Sequence, residues 1–137
     1  MFRLLQEANL ISAKDAQALL RERIHDGLKA WNAGDIARLV AHYAENVVLS
    51  SPLVSVEDSA GSKWIEGREE VARHKLRMWQ AFPKLRLIDI LSGTGYACAL
   101  FDTGRSHLAM VMEPDQDGRP RRIMMFHGTD IAPGFAQ

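Results

Sequence analysis

One cysteine, Cys98, is all the chain contains, so no intrachain disulfide can form and neither an oxidising compartment nor a cysteine-rich zinc site is suggested. The cytoplasm is the simplest expectation. Net charge is missing as well. The 17 Lys and Arg balance 17 Asp and Glu, no basic stripe is interleaved with aromatics, and a phosphate backbone would find no electrostatic footprint, which excludes nucleic acid as an expected partner. Weak colloidal repulsion is compatible with self-association. No apolar run approaches the ~20 residues of a membrane span, and Gln6 and Glu7 interrupt the opening Leu4-Leu5 before it could become a signal-peptide core. No membrane association is expected. Glycine-rich phosphate loops are absent too: Gly93-Thr94-Gly95 falls between two predicted strands and opens no helix, so no cofactor is implied. There is no HExxH or HxH arrangement and no GxSxG elbow, which leaves no expected metal site and no support for nucleophilic serine catalysis.

What is present is a strongly punctuated pattern over 137 residues, enough for a single domain that buries roughly two-thirds of its extended-chain surface. The domain is expected to span 1–137, with 1–11 as an N-terminal extension that adds a short helix. Ser12 and Asp15 then suggest the start of a long helix, with Leu20, Ile24, Gly27 and Trp31 on one face and an end near Ala33. Gly34 suits a left-handed C-terminal cap, and Asp35 can accept hydrogen bonds from the first turn of the next helix. Ile36, Leu39, Val40 and Tyr43 follow as one buried stripe.

Val47 to Leu53 alternates as a strand, with Val47, Leu49 and Ser51 on one face. Ser55 to Ser62 reads as a loop and Trp64-Ile65 as a brief strand. A helix over Arg68 to Phe82 is stopped by Pro83, and the Glu69-Glu70 pair in its first turn suits the helix macrodipole better than a catalytic dyad. Four strands follow: Leu85 to Leu91, Tyr96 to Phe101, Arg105 to Glu113 and Arg121 to His127. Helices first and antiparallel strands afterwards argue α+β. If Pro114 and Pro120 bracket the last turn symmetrically, Glu113 pairs with Arg121 and His107 with His127. One face then carries His107, Ala109, Val111, Ile123 and Met125, and the other Leu108, Met110, Met112, Met124 and Phe126. Both faces are partly apolar, so the sheet needs a second cover beyond its own helices, most simply another copy of the chain.

The element order, with WNAGD, YAENVVLSSP, GREEV, AFPKLRL and DGRPRRIMMFHG over about Ile24 to Gly128, resembles the nuclear transport factor 2-like superfamily. Its small SnoaL-like and ketosteroid-isomerase-like domains are the most similar. The resemblance implies a cone in which a strongly curved antiparallel sheet wraps around about three N-terminal helices, an apolar pocket inside it, and a homodimer through the outer sheet face. Isomerases, polyketide cyclases, epoxide hydrolases, dehydratases and non-enzymatic binding domains share this fold, so the site must decide. The aspartate that ketosteroid isomerases use as general base corresponds to Ser51, before Pro52. Their helix tyrosine falls on Gly27, and their oxyanion-hole aspartate near Leu108 or Met110. This chain lacks the side chains on which that enzyme's pKa tuning depends.

Candidate catalytic residues are then His74, Ser51 and Asp89. His74 shares a helix face with Val71 and Met78, where partial desolvation would suit a general acid or base, although a satisfied core histidine has the same pattern. Ser51 offers a hydroxyl to a ligand carbonyl or to nearby backbone. Asp89 alternates with Leu85, Leu87 and Leu91 and, if it points into the cone, is a carboxylate raised by burial; near the strand end it reaches solvent instead. His107 and His127 are too few for zinc and suit the outer face better. Asp102 heads a turn. Candidate ligand-binding residues are Trp31, Trp64, Met78, Tyr96, Cys98, Leu108, Met110, Met124 and Phe126, an adaptable wall in which methionine accommodates irregular ligands; the same residues also make ordinary core. The functional expectation is a small apolar organic ligand, with cofactor-independent isomerisation, cyclisation or hydration. The alternative is a non-catalytic dimeric module with a filled cone.

Overall fold

The computed structural model describes residues 2–52 and 64–128, with side chains from Lys14 onward. Its first element is one continuous helix, α1 (Phe2–Asn32). The expected break at Ser12 is absent, because no proline or glycine stands between Phe2 and Gly27 to interrupt the backbone ladder. Ala16, Leu20, Ile24, Ala30 and Trp31 are buried along its inner face. Gly34 then adopts φ 75°, and Asp35 N–H donates back to the Ala30 carbonyl at 2.8 Å, closing the helix as a glycine in the left-handed region allows. A side chain at Gly34 would also run into the Trp79 indole, 3.0 Å away.

Asp35 caps α2 (Ile36–Val40), its Oδ1 accepting from Arg38 N–H at 3.1 Å. The stripe Ile36, Leu39, Val40 and Tyr43 is buried, as its spacing requires. Short strands β1 (Val48–Ser50) and β2 (Trp64–Glu66) precede α3 (Arg68–Ala81). The first strand, expected to run from Val47 to Leu53, ends at Ser50, with Ser51 and Pro52 already outside it; Leu53 and the expected loop over 55–62 lie outside the described residues. Long strands β3 (Arg86–Gly93), β4 (Tyr96–Asp102), β5 (His107–Pro114) and β6 (Pro120–His127) complete an α+β domain.

The six strands run in the order β2-β1-β6-β5-β4-β3. Every neighbouring pair is antiparallel except β1 and β6, which are parallel, with Leu49 opposite Ile123. The sheet curves around the helices without closing, and Leu49, Ala99, Leu108 and Ile123 on its inner face are almost completely buried with Leu20 and Val71 from the helices. Each such aliphatic contributes about 1.5–3 kcal/mol relative to exposure.

Two bulges decide which side chains enter the cone, and each corrects an expectation from simple alternation. A register shift between Glu113 and Pro114 sets Glu113 opposite Arg122 and Leu108 opposite His127, one residue away from the symmetric pairing. A one-residue slip exchanges faces for the whole of β6. Ile123, Met125 and His127 therefore share the inner side with Leu108, Met110 and Met112, while Met124 and Phe126 stand outside. A second shift between Leu87 and Asp89 puts Leu87 opposite Phe101 and Ile90 opposite Ala99, leaving Asp89 exposed on the outer side. In β4, Ala97, Ala99 and Phe101 are buried, so Tyr96 and Cys98 also face outward.

Candidate functional site

Inside the cone lies an apolar cavity of about 530 Å³ including its mouth, of which about 40 Å³ admits the centre of a water molecule. One water needs about 10–15 Å³ on that second measure, so the space as the side chains stand holds about three waters, and an organic ligand enters only as the flexible methionines give way. Ile24, Gly27 and Trp31 of α1 form one wall, and Lys75 and Met78 of α3 another. Phe101, Leu108, Met110, Met112 and Met125 supply the sheet side. Gly27 allows α1 and α2 to approach closely, since a Cβ there would lie 3.0 Å from Leu39 Cδ1 and the leucine would have to give way.

Lys75 is the unexpected member. It occupies the position one turn beyond Val71, beside His74, and only 2% of it is exposed. Its ammonium nitrogen lies 3.7 Å from the sulfurs of both Met110 and Met125 and 5.8 Å from the centre of the Tyr43 ring. No carboxylate pairs with it among the described residues. Burial accordingly pushes its pKa down to about 7, because the charged form loses hydration that two thioethers and a ring face replace poorly. Tyr43 lines the same cavity with only 3% exposure, and its hydroxyl has no hydrogen-bond partner among the described residues. Burial shifts the phenol above its ordinary range, so it remains protonated.

At the mouth, Arg23, His42 and Pro120 complete the lining. His42 Nε2 lies 2.6 Å from Asp26 Oδ2, and Arg23 reaches His42 Nδ1 at 3.3 Å. Arg38 binds the same Asp26 carboxylate through both Nε and a terminal nitrogen. These hydrogen bonds, Arg38's first and His42's second, hold Asp26 down at about 2. An ionic strap thereby joins α1 to the segment after α2 and fixes the imidazole at the entrance.

Among the expected site residues, Trp31, Met78, Leu108 and Met110 line this cavity. His74 is buried but is not part of the lining. Ser51 is buried, with its hydroxyl 3.4 Å from His127 Nε2. His127 also stacks near Phe82, with ring centroids 6.3 Å apart. Desolvation first, and then the Lys75 charge, lower its pKa to about 4. Asp89, Tyr96, Cys98, Met124 and Phe126 stand on the outer side for the reasons of register given above. Trp64 lies there too, under the Arg122 guanidinium at 4.8 Å. Asp102 holds its turn, accepting from Gly104 N–H at 2.7 Å. Among the described residues no group of three metal-ligating side chains gathers, and no helix is long and apolar enough to cross a membrane.

Sequence reasoning missed Lys75, Tyr43 and His42 as cavity residues. Tyr43 was legible as core but not as a donor, and the one signal for Lys75 was its i, i+4 relation to Val71 on the inward face of α3.

A curved, unclosed six-stranded sheet around three helices, holding a cavity in its cone, defines a nuclear transport factor 2-like protein. The SnoaL-like domain model matches residues 24–132, and the chain belongs to that family. It is similar to a SnoaL-like protein of unknown function from Burkholderia thailandensis, at 23% identity and TM-score 0.69, over 82% of this chain and 97% of the other. An NTF2-like protein of unknown function from Burkholderia xenovorans aligns at 17% identity and TM-score 0.65, over 86% and 90%. The epoxide hydrolase/cyclase-like enzyme SalBIII, which acts in pyran ring formation in the polyether salinomycin, aligns at 16% identity and TM-score 0.59, over 80% and 91%. No curated protein matches the chain.

Proposed function

We propose that this domain binds a small, predominantly apolar organic molecule in its cone and performs cofactor-independent isomerisation, cyclisation or hydration on it. The observation that carries this reading is the apolar, partly open cavity whose lining includes two polar residues from separate elements, Lys75 and Tyr43. Apolar walls with a few convergent polar atoms are the usual make-up of a small-molecule site. His42, oriented by Asp26, adds a proton-transfer group at the entrance. Membership of the SnoaL-like family and the likeness to SalBIII are in keeping with ring-forming or ring-opening chemistry. Thermal-shift measurements against small hydrophobic carbonyl compounds and their alcohol analogues test it, because a ligand held only by the native state raises the melting temperature. A panel that leaves the melting temperature unmoved counts against the reading.

A second reading, a non-catalytic binding module, is favoured by one observation: only about 40 Å³ of the space lined by Met110, Met112 and Met125 is open to a water centre. In both readings the chain works as a homodimer through its outer sheet face. Leu91, Tyr96 and Phe126 are exposed there to 50%, 41% and 55%, beside the half-buried Val111 and Met124, which is more apolar surface than a lone sheet face needs.

A further inference from the structure

We propose that Lys75 is an imine-forming lysine, whose ε-amine captures the carbonyl carbon of a small aldehyde or ketone in the cavity while the Tyr43 hydroxyl hydrogen-bonds the carbonyl oxygen. The inference rests on the cavity being a ligand site, and it names the substrate class of that site.

The geometry is specific. Lys75 enters the cavity from α3 with its nitrogen almost wholly shielded from solvent. Its near neighbours are soft acceptors that hold it in place without demanding a charge: Met110 Sδ, Met125 Sδ and the Tyr43 ring. Among the described residues, the ionisable side chains that line the cavity with it are Tyr43, Arg23 on α1 and His42 after α2, and His127 on β6 senses the Lys75 charge. None supplies the carboxylate that ordinarily keeps a buried lysine protonated. A neutral amine in a dry site is a nucleophile, and burial that favours the neutral form is how lysines are activated for Schiff-base chemistry. The Tyr43 hydroxyl is an independent sign of a ligand, because it is a buried donor without an acceptor among the described residues. An oxygen on a bound molecule satisfies it.

The step balances without oxidant or metal. The Lys75 lone pair forms an N–C bond to the carbonyl carbon, and the carbonyl π pair moves to oxygen, which takes up a proton while the nitrogen loses one, giving a carbinolamine. The C–O bond then breaks, oxygen leaves as water after a second proton transfer, and the nitrogen pair forms C=N. The net change is carbonyl plus amine to imine plus water. Once protonated, the iminium draws electron density from the adjacent carbon and acidifies its C–H bonds. That is the requirement for isomerisation or hydration of a conjugated carbonyl compound without a cofactor.

The test uses the full chain with n-butanal as probe, butan-1-ol as the matched ligand that cannot form an imine, and sodium cyanoborohydride as the trap. Peptide mapping by mass spectrometry locates the butylated lysines. At neutral pH, labelling at Lys75 is expected to exceed that at Lys29 and Lys84 by about tenfold or more, reflecting its larger neutral fraction. Lys75→Met is expected to lose that adduct while butan-1-ol still raises its melting temperature, which shows the variant folded and its cavity intact. Tyr43→Phe is expected to slow trapping at Lys75 by about tenfold, the usual order for one lost proton-transfer or oxyanion contact, and to weaken butan-1-ol binding as well, while its ligand-free melting transition stays cooperative. If both compounds raise the melting temperature but Lys75 is labelled no more than Lys29 or Lys84, the imine inference is overturned and the ligand site stands. Butyrate binding far more tightly than butanal, with no adduct formed, overturns it in the same way. If neither butanal nor butan-1-ol binds and no adduct forms, both fail.

Discussion

Trp79 donates its indole N–H to the backbone carbonyl of Trp31 at 2.9 Å. Trp31 in turn donates its own indole N–H to the carbonyl of Phe82 at 2.8 Å. The C-terminal ends of α1 and α3 are thereby tied by two buried or half-buried bonds from the two helices. Asn32 extends the tie with its side-chain amide, which accepts from Leu85 N–H and donates to the Leu85 carbonyl. One wall of the cavity is fixed by this cluster, because Trp31 and Leu85 both line it.

Trp31→Phe keeps most of the ring volume but leaves the Phe82 carbonyl without its donor. The expected cost is about 1–3 kcal/mol, the penalty for stranding a buried polar group. Urea unfolding measures it, and a midpoint indistinguishable from wild type would show the bond to be dispensable.

The pH dependence of stability carries the signature of Lys75. Its pKa falls from 10.5 in the unfolded chain to about 7 in the fold. Between those values the unfolded state binds the extra proton, so this residue makes stability rise with pH from about 7 to 10.5; below about 7 the penalty is complete and constant. The displacement corresponds to on the order of 5 kcal/mol. Lys75→Met, close in size and apolar, is expected to be more stable than wild type near pH 6 by several kcal/mol, with the gap closing as pH approaches 10. Denaturant midpoints across that range decide it.

His127 acts on the acid side. Its pKa drops from 6.5 to about 4 on folding. The unfolded state therefore binds more protons within that window, and the contribution of His127, full above 6.5, is lost as pH falls through it. His127→Gln is expected to flatten the melting temperature between these two values relative to wild type. Because the Lys75 charge is one cause of the shift, Lys75→Met is expected to move the His127 titration upward, which imidazole resonances in an NMR titration report.

The outer sheet face makes a separate demand. Phe126→Glu places a charge where Phe126 is 55% exposed, so the cost to the fold itself stays within about 0.5 kcal/mol. Light scattering is expected to give a dimer for wild type and a monomer for the variant. A monomeric wild type would remove the proposed interface.

The segment from Trp31 to Pro52 was the most legible part of the chain, because Gly34, Asp35 and the Ile36-Leu39-Val40-Tyr43 stripe each obey a local rule that no distant residue overrides. The faces of β3 and β6 were not legible. Alternation is a reliable guide only while the pleat is unbroken, and the shifts at Leu87/Asp89 and Glu113/Pro114 each reverse it. That is why Asp89 turned outward and His127 inward. Lys75 stayed hidden for a different reason: a lysine beside apolar residues on a helix reads as solvated, and only the depth of the cone shows that it is almost wholly shielded from bulk solvent. Gly118 in the last turn shows the same dependence on context, since a Cβ there would lie 2.5 Å from Leu19 Cβ on α1, a contact that no local pattern announces.

The parallel seam between β1 and β6 has a bearing on assembly. The strand that follows the second helix acquires its inner neighbour only from the last strand of the chain, more than seventy positions along the polypeptide, with Val48 meeting Arg122. On the ribosome, β3, β4 and β5 can zip into a meander while the β1–β2 hairpin still lacks a place to dock. Closing so long a loop carries an entropic cost that local contacts do not offset. The sheet is therefore complete only once the final hairpin is in place, and a lesion in its Pro114–Pro120 turn is expected to slow refolding, which stopped-flow measurements would report.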